Sequence, residues 1–274
     1  MIQRVFDYVA RFDERSKGFS VRSIIDESNL PERKMWDMGP VLHQGSLDGC
    51  VGFSWTAYLL GSPEMPRPQT NSKYGNEFAK EIFVDIKNHD FVDGVDYRGT
   101  NIIAGAFRMQ DRGFIKNYYW CFSAEDVRDA VLAIGPVVVG VKWYKSMSEP
   151  DSTGLMPVKQ TNSLGRHAIL ITGYDPAMKF GDKEYEVFRI RNSWGDDWGI
   201  GGDAYIKVVD FKKLITLSEM CVPVGKTPPV FNRYTGRIAD KQLQPKENPN
   251  LVRIGVVYFI SVISRFFKDL FKKD

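Results

Sequence analysis

The stretch Ser123-Ala-Glu-Asp-Val-Arg-Asp-Ala-Val-Leu-Ala-Ile-Gly-Pro-Val-Val-Val-Gly-Val141 changes its pattern partway along, and the change decides the fold class. Its opening, Ser123-Ala-Glu-Asp126, resembles a helix capping box with aspartate in place of glutamate, and predicts a helix to about Leu132. Gly135-Pro136 stops that helix. Val137 to Val141 is then a valine run broken only by Gly140, which has strand composition. Upstream, helices are expected over Gly49 to Leu60, Asn76 to Ile86 and Thr100 to Met109. In the first of these Val51, Phe53, Trp55 and Leu59 are available for burial, and Gly61 and Pro63 end it. Downstream, Ala168 to Gly173, Tyr185 to Arg191 and Asp203 to Val209 read as strands separated by turn residues. Helices come first and strands second. That order predicts segregated halves, an α+β fold, and not alternating units around a parallel sheet.

The chain has 274 residues, 43% of them hydrophobic, enough for a full core in one large domain with extensions. A formal charge of +3, with basic and acidic residues intermixed, excludes the usual signature of a nucleic-acid binder. Cys50, Cys121 and Cys221 are too few and too widely spaced for a disulfide framework or a zinc pair, and no ligand cluster suggests a metal or organic cofactor. Met1 to Arg22 lacks the apolar core of a secretory signal. The expected setting is therefore reducing: cytoplasmic or virion-associated.

Thiol hydrolysis needs a thiolate near neutral pH, so the cysteine should sit at positive potential, such as a helix N-terminus, facing a base. Cys50 follows Gly49 at the start of a predicted helix, and the glycine lets a substrate backbone approach. Of the three histidines, His89 sits in the polar run Asn88-His-Asp90 and reads as a surface residue. His43 is close to Cys50 in sequence and poorly placed to face it across a cleft. His167 introduces the apolar strand Ala168-Ile-Leu-Ile-Thr172. Asn192, in Arg191-Asn-Ser-Trp-Gly-Asp-Asp-Trp-Gly199, has an amide oxygen able to hold one imidazole nitrogen, and Trp194 is placed to cover that bond. Taken alone, each has a plainer role: a buried cysteine, a satisfied strand histidine, a turn with packed tryptophans.

Together these segments resemble the papain family of cysteine peptidases. Gln44-Gly-Ser-Leu-Asp-Gly-Cys50 looks like its nucleophile segment, Arg166-His-Ala-Ile-Leu-Ile-Thr-Gly-Tyr174 like its histidine strand, and Ile190-Arg-Asn-Ser-Trp-Gly195 with Trp198-Gly199 like its asparagine motif. The likeness covers about Phe19 to Pro223 and includes Trp36, Gly135-Pro136 and Gly154. It implies a two-lobed fold, a helical lobe over about 39–133 and an antiparallel β lobe over about 134–224, with the active-site cleft between them. It implies Cys50 as nucleophile, His167 as base, Asn192 as its orienting partner, and Gln44 as an oxyanion donor beside the Cys50 amide. Such a donor contributes about 2.7–4 kcal/mol to transition-state stabilisation. By the same likeness Gly99 and Thr100 stand for the substrate-binding wall, and Leu164 and Ala168 line an apolar specificity pocket. Gly49 and Trp194 complete the substrate-binding set.

The sequence also departs from the family. Leu47 stands where secreted members have a disulfide cysteine, Val51 replaces the tryptophan after the nucleophile, and Arg166 replaces an acidic or neutral residue. Val51 and Arg166 point to the bacterial and phage branch rather than the lysosomal one. Residues 1–38 form a lead-in shorter than a standard inhibitory prosegment, which leaves open that it crosses the cleft.

From Val224 onward ten lysines and arginines face four acids. A proline-containing connector is expected over 225–250 and a basic amphipathic helix over 251–274. Its charge-free core, Ile254 to Ser264, is well short of the roughly 20 residues of a membrane span. A membrane surface, a protein partner or the chain's own domain are its alternative docking sites. Two functions follow: a cysteine-type peptidase acting on protein or peptide substrates, or a catalytically silent papain-fold structural or binding protein of a viral particle or membrane assembly.

Overall fold

A computed structural model describes residues 6, 8–10, 13–63, 70–90, 98–215 and 219–227. The expected C-terminal helix and most of the connector lie outside the described residues. Among the described residues no helix is long and apolar enough to cross a membrane, and no cluster of His, Cys, Asp and Glu is suited to a metal.

Among the described residues five α-helices form: α1 Cys50–Leu60, α2 Ser72–Lys87, α3 Ile102–Asp111, α4 Ala124–Ala133 and the short α5 Val208–Phe211. Side-chain caps set three of the starts. Asn71 Oδ1 accepts from the Tyr74 amide, Asn101 Oδ1 from Ala104 and Ser123 Oγ from Asp126, each satisfying a donor that the first turn leaves open. The Asn71 cap starts α2 four residues earlier than its apolar pattern suggests. At Ser123 the reciprocal bond of a capping box goes one residue further back, from the Phe122 amide to Asp126 Oδ2 at 2.7 Å.

The strands are β1 Lys34–Met35, β2 Asn117–Trp120, β3 Val137–Tyr144, β4 Ser163–Phe180, β5 Lys183–Arg191, β6 Asp203–Lys207 and β7 Met220–Val224. They make one antiparallel sheet in the order β2-β7-β3-β4-β5-β6, with β1 also paired to β4. Several expected strand boundaries shift: β3 runs on to Tyr144, β4 to Phe180, and β5 starts at Lys183. β4 begins at Ser163, because Ser163, Gly165 and Arg166 pair with Tyr144, Trp143 and Lys142 of β3 despite their exposure. The strand expected over Asp203 to Val209 ends at Lys207, where the chain turns into α5.

Alternation along the sheet builds two cores. Val138, Ala168, Leu170 and Cys221 face a cluster formed mainly by α1, α2 and α3, with Phe53, Trp55 and Tyr58 at its centre. Val137, Val139, Val141, Ile169 and Ile171 face the second cluster, with Trp143, Phe188 and Phe211. Burial on both faces explains why β3 and β4 read as continuous apolar runs. The buried residues of α4, Val127, Ala130, Val131 and Leu132, pack in the second cluster, so the change of core falls between Trp120 and Cys121. Much of the expected lead-in packs there too. Val21 is fully buried in that core, and Arg22 pairs with Asp126 and Asp129 at 2.6 and 2.9 Å.

Candidate active site

Cys50 is the first residue of α1, preceded by the buried N-cap Gly49. All of α1 is buried. It has no side-chain cap, so the positive end of the helix is directed at the residues that open it. α1 packs on β4, and Cys50 shares a core cluster with Ala168, the neighbour of His167.

His167 is fully buried on β4, opposite Val141 of β3. Its Nε2 lies 2.8 Å from Asn192 Oδ1, and the same oxygen accepts the Ser193 amide at 2.8 Å. An atom that accepts from a backbone N–H is an acceptor for the imidazole as well, so Nε2 carries the hydrogen and Nδ1 is the basic nitrogen of the neutral ring. The rings of Trp194 and Trp143 lie 4.9 and 5.0 Å from the imidazole, and Trp194 also packs on Trp143 and Trp198. This aromatic box excludes water from the His167–Asn192 bond and strengthens it.

A short ladder ties the cysteine segment to the asparagine segment. The Gln44 amide donates to Ser193 O at 2.9 Å, and the Gly195 amide to Leu42 O at 3.0 Å. The Gln44 side chain is held at both ends: its Oε1 accepts from Ser193 Oγ at 2.6 Å and its Nε2 donates to Leu47 O at 2.8 Å. Nε2 keeps a second N–H. The other two histidines are occupied elsewhere. His43 Nδ1 accepts the Gly45 amide, and exposed His89 Nδ1 lies 2.7 Å from Asp85 O. Cys121 and Cys221 are buried, no disulfide joins the cysteines, and burial pushes both of these thiols well above the ordinary thiol range.

The substrate-binding residues expected from sequence divide. Gly49, Gly99, Thr100, Ala168 and Trp194 are buried around Cys50, His167 and the start of α3. Leu164 is 40% exposed at the outer end of β4 and belongs to neither core cluster. The buried Glu219 carboxylate lies at the start of α3, where its Oε2 accepts the Ile102 amide at 3.2 Å. Three residues at the site escaped the sequence reading: Ser193, Trp143 and Glu219. Trp143 was legible in principle, since it continues the alternation of Val137, Val139 and Val141 onto the face that carries His167.

Residues 98–223 match the family model described as papain family cysteine protease. That segment contains His167 and Asn192 and stops short of Gln44 and Cys50. Human cathepsin O is 30% identical over 119 residues, 41% of this chain and 34% of that protein. Cysteine proteinase 2 of Zea mays is 29% identical over 206 residues, 63% of this chain and 54% of that protein. The chain thus spans between a third and about half of these relatives. Among solved structures, xylellain, a cysteine protease from Xylella fastidiosa, aligns with a TM-score of 0.57 at 17% identity, covering 83% of this chain and all of that one. Bromelain from Ananas comosus, solved with the E64 inhibitor, aligns at 0.50 and 13% identity, covering 72% of this chain and 100% of that one. Residues 98–223 thus match the papain family model, within a chain whose fold is papain-like.

Proposed function

We propose that the chain hydrolyses peptide bonds, with Cys50 as nucleophile, His167 as general base and then acid, and Asn192 as the group that holds the imidazole. The observation that carries this reading is the buried bond between His167 Nε2 and Asn192 Oδ1. It fixes the tautomer that leaves Nδ1 to take the thiol proton. The N-terminus of α1 favours the resulting thiolate at Cys50, and the imidazolium is the counter-charge. Attack of the sulfur on the substrate carbonyl places negative charge on its oxygen. The Cys50 amide and the second Nε2 hydrogen of Gln44 are the donors for that oxygen, and Ser193 and Leu47 hold the Gln44 amide in place. His167 then returns its proton to the leaving amine, and water releases the acyl group by the same route in reverse.

Protein and peptide substrates fit this chemistry. The bacterial and phage branch rests on Val51 and Arg166 alone, since the matched relatives include human and maize proteases.

Cys50→Ala is the direct test. Turnover of a mixed peptide substrate should fall by at least about 10⁴-fold, as when a catalytic nucleophile is removed, while the far-ultraviolet circular dichroism stays that of wild type. Retained turnover would overturn the reading and favour a papain-fold protein that works by binding.

A further inference from the structure

Gln44 can serve a developing oxyanion only while the turn that carries it keeps its shape, and one side of that turn is held by His43. Gln44-Gly-Ser-Leu47 closes on itself, with the Leu47 amide donating to Gln44 O at 3.1 Å. Gly45, at its second position, has φ +61°, which glycine adopts without steric cost. The Gly45 amide takes no part in that closing bond. Its acceptor is His43 Nδ1 at 2.9 Å.

His43 is itself fixed from two directions. Its backbone amide donates to Asn76 Oδ1 of α2 at 2.8 Å, and its ring lies against Gly195, where a Cβ would fall 2.6 Å from Cδ2. Gly195 is left-handed at φ +85°, so a bare Cα meets the imidazole. His43 also makes a β-bridge with Trp194, whose ring covers His167. One residue thus joins α2, the turn that carries Gln44 and the loop that follows Asn192. A backbone N–H can only donate, so Nδ1 carries no proton, the ring hydrogen is on Nε2 and the imidazole is neutral. A second proton would set a donor against a donor.

We infer that His43 is a positioning residue for the oxyanion hole: its neutral Nδ1 holds the Gly45 amide and, through that turn, the Gln44 side chain. The inference rests on the peptidase reading for its effect on rate, and on the contacts above for the turn. The acceptor exists only on the neutral ring, so Gln44 is held at neutral and higher pH and released as pH falls and the imidazole takes up a proton. The charged groups on the elements around the ring are Asp48 on its own turn, Asp196 and Asp197 on the loop after Asn192, and Lys73, Glu77 and Lys80 on α2. His167 stands behind Trp194 and is present in every variant below, so its protonation cancels in the ratios. An asparagine at this position would supply the same acceptor, since its side-chain oxygen bonds the amide two residues on, and it does not titrate.

The test uses the full chain and reads kcat and KM on one peptide substrate, beside hydrogen exchange of the Gly45 amide by NMR. His43→Phe keeps a flat ring against Gly195 and loses the acceptor. It should lower kcat about tenfold at neutral pH with KM little changed, and speed Gly45 exchange by a similar factor, as expected for one lost hydrogen bond. His43→Asn should recover both to within about twofold of wild type, and in a Gln44→Ala background His43→Phe should cost less than about twofold, because its effect passes through Gln44. Between about pH 8 and about pH 5, where imidazole side chains as a class exchange their proton, kcat of wild type should fall about tenfold relative to that of His43→Asn. If His43→Phe does not fold, that pH ratio carries the test alone.

Parallel pH profiles for wild type and His43→Asn, or an equal loss from His43→Phe with and without Gln44, overturn the inference and leave the peptidase reading standing. If wild type cleaves no peptide, the peptidase reading falls and Gly45 exchange decides the rest. Exchange that is fast in His43→Phe and slow again in His43→Asn upholds His43 as the residue that positions Gln44, and equal exchange in all three overturns it.

Discussion

The two ends of the cleft are closed in different ways. At one end His167, Asn192, Trp194 and Trp143 complete one another: the imidazole is hydrogen-bonded, enclosed by rings and fully buried by residues of β3, β4 and the loop after β5. At the other end the Glu219 carboxylate and the gap at Gly140 find their partner in Tyr8, and the Thr100 carbonyl in Val9. The first arrangement is preorganised for a reaction. The second is packing assembled from segments far apart in the chain, and the contrast separates a site built from local motifs from one built by the fold.

Substitutions at the chemical end should act on kcat. Gln44→Ala removes one donor to the developing oxyanion and should lower kcat by about 10²–10³-fold with little change in KM. Steady-state kinetics on one peptide check this; a rise in KM alone would assign Gln44 to binding. Asn192→Ala removes one hydrogen bond to an imidazole that becomes charged, and should lower kcat by about 10–100-fold. An effect of less than about twofold would mean that the tryptophans alone orient the ring.

At the pocket end the expected effect is smaller and appears in stability. A phenol whose acidity is weakened by folding contributes fully below the ordinary value of 10.0, and that contribution is lost as pH rises through the raised folded value. Thermal melts of wild type should therefore fall more steeply above pH 10 than those of Tyr8→Phe. Parallel slopes would show that the Tyr8–Glu219 bond is not populated in solution.

The chemical end was legible because its parts are local motifs. A cysteine after glycine at a helix start, a histidine before an apolar strand and an asparagine followed by Ser-Trp-Gly each carry their geometry within a few residues. The sequence order of helices and strands also placed them on opposite walls. The pocket end was not legible, because Tyr8, Gly140, Gly165 and Glu219 come from four separate segments and none has a local pattern that predicts a shared site. Leu164 and Ala168, expected together at an apolar pocket, differ in burial for a related reason. Leu164 is carried outward by the extended pairing of β4 with β3, while the short β7 brings Glu219 to the α3 N-terminus. The membership of α4 in the second core was hidden as well, since its amphipathic pattern shows which face is buried and not which partner buries it.

The most direct measurement of the central claim is site-resolved alkylation of wild type and His167→Ala by iodoacetamide at slightly acidic pH. Cys121 and Cys221 have thiols held neutral by burial, so label on the folded protein should be confined to Cys50 and should slow by at least about 10²-fold when the imidazole is removed. Slow label spread over all three cysteines, or a Cys50 rate indifferent to His167→Ala, would contradict an assembled thiolate–imidazole pair.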